Sequence, residues 1–186
     1  MTWPAPVTLE NAFVRLEPLQ PDHAPALTAA AATLGDLWYT SIPQDVPAEI
    51  ESRIARPNMQ PFAVLGPDGA PIGMTTYLNT DPHNKRVEIG ATWLAKTAQG
   101  TKVNTAMKLL MLTHAFEALG CNVVELRTHR LNRQSRAAIE RLGAQLDGIL
   151  RNHMIMPNGT LRDTAVYSII GAEWPAIKAH LQAKLT

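Results

Sequence analysis

The sequence has a single cysteine, Cys121, few aromatic residues and almost no excess of charge of either sign. One cysteine excludes an intramolecular disulfide and a cysteine-rich metal cluster. There are 17 basic and 16 acidic side chains, giving a formal net charge of +1. That balance gives no electrostatic reason to expect nucleic acid or a membrane surface as a partner, so we expect neither. The histidines His114, His129 and His153 have no metal-like spacing, so we expect no metal site.

Long apolar runs are also absent. No stretch approaches the roughly 18 consecutive apolar residues of a membrane-spanning helix. The first residues, MTWPAPVTLENAF, lack the basic flank and apolar run of a signal peptide. The proportions of 46% hydrophobic and 18% charged residues are ordinary for a globular protein, and 186 residues suit one core. We therefore expect a single domain over residues 1–186, located in the cytoplasm.

The order of apolar patterns predicts a mixed α+β fold with seven strands and helices packed on the sheet. The first half predicts a strand near Ala12–Leu19, two helices, a hairpin around Gly-Pro-Asp-Gly and a further strand, VEIGATWL. The second half predicts a helix from about Thr101 to Leu119, apolar on two sides and therefore buried. It also predicts the strand VVELRTH, a helix capped by Asn132 and Gly143, a hairpin turning at Pro-Asn-Gly, and a last helix.

One stretch, AQGTKVNTAMKLL, has the character of a phosphate-binding loop running into a helix, but it contains only one glycine, Gly100. A residue with a Cβ is tolerated in the first turn of a helix, where φ is negative. If the helix starts near Thr101, its first N–H groups remain free to bind an anion. The alternative is a capped, buried helix that binds nothing, with Lys102 simply solvated.

The run VEIGATWLAKTAQGTKVNTAMKLLMLTHAFEALGCNVVELRTHRLNRQSRAAIERLGA resembles the core of the GNAT superfamily of acyl-CoA-dependent N-acetyltransferases. The likeness is greater to the branch that includes the ribosomal-protein N-terminal acetyltransferases, and it extends from Phe13 to Pro175. It implies a GNAT fold, a mostly antiparallel sheet whose two central parallel strands splay apart. Acetyl-CoA is then the cosubstrate, and a primary amine attacks the thioester directly.

The resemblance also implies which residues contact CoA. The pantetheine arm pairs with the strand ATWL, the pyrophosphate rests on the loop and helix start, and the following helix adds further contacts. The implied CoA-binding residues are Trp93, Leu94, Gln99, Gly100, Thr101, Lys102, Val103, Asn104, Thr105, Asn132 and Arg136.

Two residues are implied to be catalytic. Glu88, on the strand, is the expected base, since only a neutral amine is a nucleophile. The alternative is a structural carboxylate paired with Arg86 or Lys85. Ser135, three residues after Asn132, is expected near the thioester sulfur. The usual tyrosine acid of many GNAT enzymes is replaced here by Ile139, and this leaves open a reaction without a side-chain acid.

The segment LWYTSIP lies where this family builds its acceptor pocket, so Trp38 and Tyr39 are expected to contact the amine substrate, or else to pack in the core or at its rim. A non-catalytic acyl-CoA-binding module is the rival function. A third reading is a transferase of another acyl group, such as succinyl, which needs a cation facing the acyl pocket. A homodimer is plausible, because exposed C-terminal strands of this family often pair.

Overall fold

The computed structural model describes residues 3–35, 38–40 and 42–186. The chain forms a sheet with strand order β1-β2-β3-β4-β5-β6-β8-β7. The strands are β1 Leu9–Glu10, β2 Arg15–Pro18, β3 Gln60–Leu65, β4 Pro71–Asp81, β5 Arg86–Leu94, β6 Val123–His129, β7 Gln145–Ile155 and β8 Leu161–Ile170. All neighbours are antiparallel except β5 and β6, which are parallel.

Helices cover both faces of this sheet. They are α1 Ala24–Ala31, α2 Val46–Ile54, α3 Val103–Thr113, α4 Arg133–Glu140 and α5 Trp174–Ala183. The α3 helix continues as one wider π-helical turn, His114–Ala118, before the chain reverses at Gly120 with φ of +63°. None of the helices in the described residues has the length and apolarity needed to cross a membrane.

The GNAT fold predicted from the sequence is confirmed, with three differences in detail. The sheet has eight strands rather than seven, because the two-residue β1 pairs with β2 and is too short to show an alternating pattern. The helix expected from about Thr101 begins at Val103. The α4 helix has Asn132 as its N-cap as predicted, but it ends at Glu140, and Gly143 lies three residues further on with φ of +101°.

The core is divided between the two faces of the sheet. On one face, α1 and α2 pack against Ala63, Met74 and Trp93. On the other, α3, α4 and α5 cover residues such as Tyr77 and Val124. Because helices occupy both faces, a ligand can reach the middle of the sheet only where neighbouring strands separate.

Such a separation occurs between β5 and β6. Their parallel pairing is confined to Arg86, Val87 and Glu88 on β5, opposite 123–125 on β6. Beyond Glu88 both strands continue without pairing to one another, β5 to Leu94 and β6 to His129. The predicted splay of the central strands is therefore present.

A β-bulge in β5 accompanies the separation. The register with β4 changes between the pairs Thr76–Gly90 and Met74–Trp93, so that β5 has one extra residue. Ala91 takes up this extra length with φ of +48°, a left-handed conformation unfavourable for a residue with a Cβ. The buried Arg53 of α2 holds the bulge, since its Nη1 donates to Ala91 O at 3.0 Å and to Thr76 Oγ1 at 3.1 Å.

Candidate active site

The gap between β5 and β6 opens into a cleft of about 430 Å³. Its walls come from β5, β6, the start of α3, α4 and the segment between α1 and α2. Eight of the residues predicted for the site line it: Tyr39, Trp93, Leu94, Gln99, Gly100, Asn104, Asn132 and Ser135. Residues that the sequence placed far apart are thus brought to one cavity.

Backbone groups of β5 point into this gap. Ala95 N–H donates to Ile72 O on β4 at 2.7 Å. Because N–H directions alternate along a strand, the N–H of Trp93 also points to β4, whereas those of Thr92 and Leu94 point to the side from which β6 has separated. Leu94 O lies on the same side and accepts a hydrogen bond from Gln99 Nε2 at 3.0 Å. The open edge of β5 can therefore pair with an amide-containing ligand or hold an oxyanion.

The mouth of the cleft is the start of α3. Gly100 has φ of +74°, which turns the chain into the helix. The Val103 N–H is satisfied by Thr101 Oγ1 at 3.2 Å, while the next N–H groups, of Asn104 and Thr105, precede the first intrahelical bond and are free for an anion. These features fit the pyrophosphate of CoA.

Other residues of this loop point elsewhere. Lys102 Nζ donates to Leu185 O at 2.8 Å and lies over the ring of Phe13, and neither it nor Thr101, Val103 or Thr105 lines the cleft. Lys102 is therefore near the mouth without crowding it, and its contact with a CoA phosphate stays a prediction.

Glu88 is buried, 7% exposed, at the end of the three-residue pairing. Its Oε2 accepts a hydrogen bond from Asn79 Nδ2 at 2.8 Å and lies 3.5 Å from Arg127 Nε. The partner of Glu88 is thus Arg127 and not the expected Arg86 or Lys85, because Arg86 pairs with Glu125 and Lys85 lies in the exposed turn.

Glu88 does not itself line the cleft. Gly90 lies between the Glu88 carboxylate and the cleft. A Cβ built on Gly90 lies 3.2 Å from Glu88 Oε1. The missing side chain therefore leaves Oε1 next to the cleft wall, within reach of a bridging water.

On α4, Ser135 and Asn132 have different contacts. Asn132 Oδ1 caps the helix by accepting from Ser135 N–H at 3.0 Å, while the Ser135 hydroxyl has no hydrogen bond within the described part of the chain. Arg136, by contrast, donates from Nε to Tyr167 OH at 2.8 Å and does not line the cleft. Ser135 is thus an α4 side chain available to a ligand, and Gln134 of the same helix also lines the cleft.

Three rings meet beside the cleft, where Tyr39 and His129 line it and Trp38 does not. Trp38 and Tyr39 both contact His129 of β6, with ring centroids 5.2 and 6.2 Å apart. Leu37 and Ser41 of the same segment lie outside the described residues. His129 is 3% exposed, and burial followed by the charge of Arg162 lowers its pKa. Its Nδ1 accepts from Leu131 N–H, so the neutral ring carries its proton on Nε2.

The charges of the lining were not predicted from the sequence. In the described part of the chain, the cleft is lined by basic residues and by no carboxylate; the basic residues are Lys96, Lys108, Arg127, Arg141 and Arg162. Among these basic residues, only Lys108 has a recognisable sequence signal, because it is a lysine within a helix that is apolar on two sides. A positive lining suits a polyanionic ligand such as CoA.

The family follows from comparison with known proteins. Residues 14–145 match the model of the GNAT acetyltransferase domain. The chain therefore belongs to the GNAT family of acetyltransferases, whose members use acetyl-CoA. Among curated proteins, the "Putative ribosomal N-acetyltransferase YdaF" of Bacillus subtilis (strain 168) is 36% identical over 111 residues, a match that covers 60% of this chain and 60% of YdaF.

Solved structures agree with this. A GCN5-related N-acetyltransferase from Brucella melitensis is 31% identical, with a TM-score of 0.90, over 98% of this chain and 87% of that one. Mycobacterium smegmatis RimJ, whose structure is a complex with CoA-disulfide, superposes with a TM-score of 0.77 over 98% of this chain and 96% of its own. At 24% identity RimJ shows the shared fold alone.

Proposed function

We propose that this chain is an acetyl-CoA-dependent N-acetyltransferase. Its acceptor is a molecule with one primary amine, and this amine attacks the thioester directly. The observation that carries the proposal is the gap between β5 and β6, which exposes unpaired strand backbone beside a helix start. CoA then lies with its pyrophosphate on the N–H groups of Asn104 and Thr105 and its pantetheine arm along β5. The structure of RimJ, a complex with CoA-disulfide, has the same fold.

The proposed chemistry uses three groups of the chain. Glu88, acting through water past Gly90, removes a proton from the acceptor ammonium. The Leu94 or Thr92 N–H stabilises the oxyanion of the tetrahedral intermediate. The Ser135 hydroxyl lies near the sulfur of the leaving thiolate and donates a hydrogen bond to it.

The positive charge of the cleft limits which classes of amine can be the acceptor. Basic residues and no carboxylate line it in the described residues, so a polyamine acceptor meets repulsion there. The N-terminus of a protein or peptide, or a small molecule with one amine, fits better. The name of YdaF, a putative ribosomal N-acetyltransferase, favours an amine of a ribosomal protein.

An activity screen tests both statements. Purified protein is incubated with acetyl-CoA and either short peptides with a free N-terminus, amino acids, small amines or spermidine, and thiol release is measured. We expect turnover with a single-amine acceptor, and kcat/KM for spermidine at least tenfold lower. Calorimetry showing no acetyl-CoA binding at millimolar concentration would contradict the proposal.

Two alternatives have distinct outcomes in the same screen. Binding of acetyl-CoA without turnover of any amine would indicate a non-catalytic acyl-CoA-binding module. Faster transfer from succinyl-CoA than from acetyl-CoA would indicate a different donor, with a lining cation holding the acyl carboxylate. The cytoplasmic location and the lack of nucleic-acid or membrane partners stay predictions.

We further propose a homodimer formed through β7. This strand is the last of the sheet and pairs only with β8, so its outer backbone edge is open. It also exposes large apolar side chains, among them Leu150 and Ile155. An open edge with apolar residues favours pairing with the same strand of a second copy.

A further inference from the structure

Lys108 is a buried amine in the wall of the cleft. It lies on α3, is 6% exposed, and lines the cleft together with Asn104. The two residues are four apart and therefore share a helix face, with Lys108 about 6 Å further along the axis. Asn104 is at the mouth, so Lys108 lies in the interior.

The Lys108 amine is held beside the bulge of β5. Its Nζ donates to Thr92 Oγ1 at 3.1 Å, and Thr92 Oγ1 is 2.8 Å from Thr75 Oγ1. The Thr75 hydroxyl is in turn 3.5 Å from Met111 Sδ. This row of threonines fixes the amine next to Thr92, whose N–H faces the gap where the thioester carbonyl is proposed to lie.

No opposite charge balances Lys108. Among the described residues it has one hydrogen bond, to Thr92, and no ion pair. The other titratable groups of the packed elements are bound elsewhere: Tyr77 of β4 donates to Met111 O, Glu88 of β5 lies by Arg127 of β6, and His114 lies by Tyr77. Arg141, after α4, lines the cleft as a like charge.

Burial alone accounts for the ionisation of this lysine. It lowers the pKa of Lys108 to about 7, because the charged form loses its hydration. At neutral pH a substantial share of the molecules therefore carries a neutral amine, which can accept a proton. An exposed lysine is almost wholly charged at the same pH.

We propose that Lys108 carries the proton from the attacking amine to the leaving thiolate, an inference that rests on the proposed function. As the amine nitrogen bonds to the thioester carbon, neutral Lys108 takes a proton from that nitrogen. The C–S bond then breaks, its electron pair goes to sulfur, and the Lys108 ammonium protonates the thiolate. The lysine ends each turnover neutral, as it began.

Two substitutions test this role. Lys108→Met removes the amine and keeps an unbranched apolar chain, and Lys108→Arg keeps a donor that stays charged and cannot accept a proton. In the wild type, we expect kcat/KM to rise with pH up to about 7 as Lys108 becomes neutral. Both variants should lose that rise and about 100-fold in kcat, with the same acceptor throughout. Lys178→Met, which removes a lysine from α5, is the matched control. Its kcat should stay within threefold of the wild-type value.

Folding and ligand binding are measured in parallel. Lys108→Met should melt no lower than wild type, because it removes an unpaired buried amine, and should bind CoA within threefold. NMR of the lysine side chains should show the Lys108 resonance titrating near neutral pH.

Four outcomes would overturn the inference. The first is a Lys108→Met enzyme with wild-type kcat at every pH, and the second is one that keeps the ionisation near 7. The third is a loss of kcat that occurs with succinyl-CoA as the donor and not with acetyl-CoA, which would place Lys108 in a site for the acyl carboxylate. If the wild type acetylates no amine, the proposed function fails instead, and a Lys108 resonance titrating near 10 would overturn this inference independently.

Discussion

At the scale of single residues, Glu88 and Gly90 act as a pair. The carboxylate is buried and fixed through Oε2, and its other oxygen reaches the cleft only because position 90 has no side chain. A methyl group at Gly90 would lie 2.8 Å from Leu78 Cδ1 as well as close to Glu88. The glycine at position 90 is thus explained by the access that it gives the Glu88 carboxylate to the cleft, and not by a turn of the backbone.

Replacing Glu88 with Gln should lower kcat about 100-fold at neutral pH, because the amide cannot accept the acceptor's proton. Acetyl-CoA affinity, measured by calorimetry, should change less than twofold, since Glu88 does not line the cleft.

The control for this substitution is Glu125→Gln. Glu125 faces Glu88 in the β5–β6 register and also pairs with Arg127, but it is on the other strand, so it should keep most of the activity. Equal losses of kcat and of CoA affinity in Glu88→Gln would instead indicate a structural role.

Much of the site's composition could be predicted from residue patterns, and its charge could not. The cap that Asn132 forms at the start of α4 follows from local spacing, whereas the place of Ser135 in the site was implied by the resemblance. The burial of Lys108 and the partner of Glu88 depend on which strands meet in space. Arg127 is 39 positions from Glu88 in the sequence, and nothing in the local pattern joins them.

At the scale of elements, α2 supports the site from the far face of the sheet. Arg53 is 3% exposed, and besides its contacts with the bulge its Nε pairs with Glu49 at 2.6 Å. It therefore holds Ala91 in a conformation that alanine otherwise disfavours. The direction of the Thr92 and Leu94 N–H groups depends on this bulge.

We expect Arg53→Met to destabilise the protein by about 2–4 kcal/mol, because it leaves buried Thr76 and the Ala91 carbonyl without their donor. It should also lower kcat at least tenfold through displacement of the strand donors. Urea unfolding and initial rates measure the two effects.

Arg56→Met is the matched control, since Arg56 is exposed at the end of the same helix, and it should change neither quantity. Wild-type stability and rate in Arg53→Met would show that the bulge persists without the arginine.

Elements with strong periodicity were predicted well, and short or strained ones were not. The hairpin at Gly-Pro-Asp-Gly and the two-sided α3 have signals spread over many residues. The bulge has no such signal, because alanine at position 91 does not indicate a positive φ. The bulge lies just beyond the point where β5 and β6 stop pairing, and the gap was expected from the resemblance rather than from any residue pattern.

At the scale of the whole molecule, the proposed dimer places β7 of two copies side by side. Lysine at both Leu150 and Ile155, which are 42% and 76% exposed, should prevent this pairing through like charges on a free edge. Sedimentation velocity should show a dimer for wild type and a monomer for the double variant.

Ile54→Lys, at a similarly exposed isoleucine on α2, should remain a dimer. A wild-type protein that sediments as a monomer at 100 µM, on the order of a weak-complex Kd, would rule out the β7 interface.

The short pairing of β5 with β6 has a consequence for how the molecule opens. In the part of the chain that the structure describes, three residue pairs form the direct connection within the sheet between the half containing β1–β5 and the half containing β6–β8. Local opening at this seam needs few backbone bonds to break, so the amides paired across it, within 86–88 and 123–125, should exchange with solvent sooner than those of β4. A cosubstrate bound across the seam holds the two halves of the sheet together. The free energy of unfolding therefore increases with the concentration of the cosubstrate.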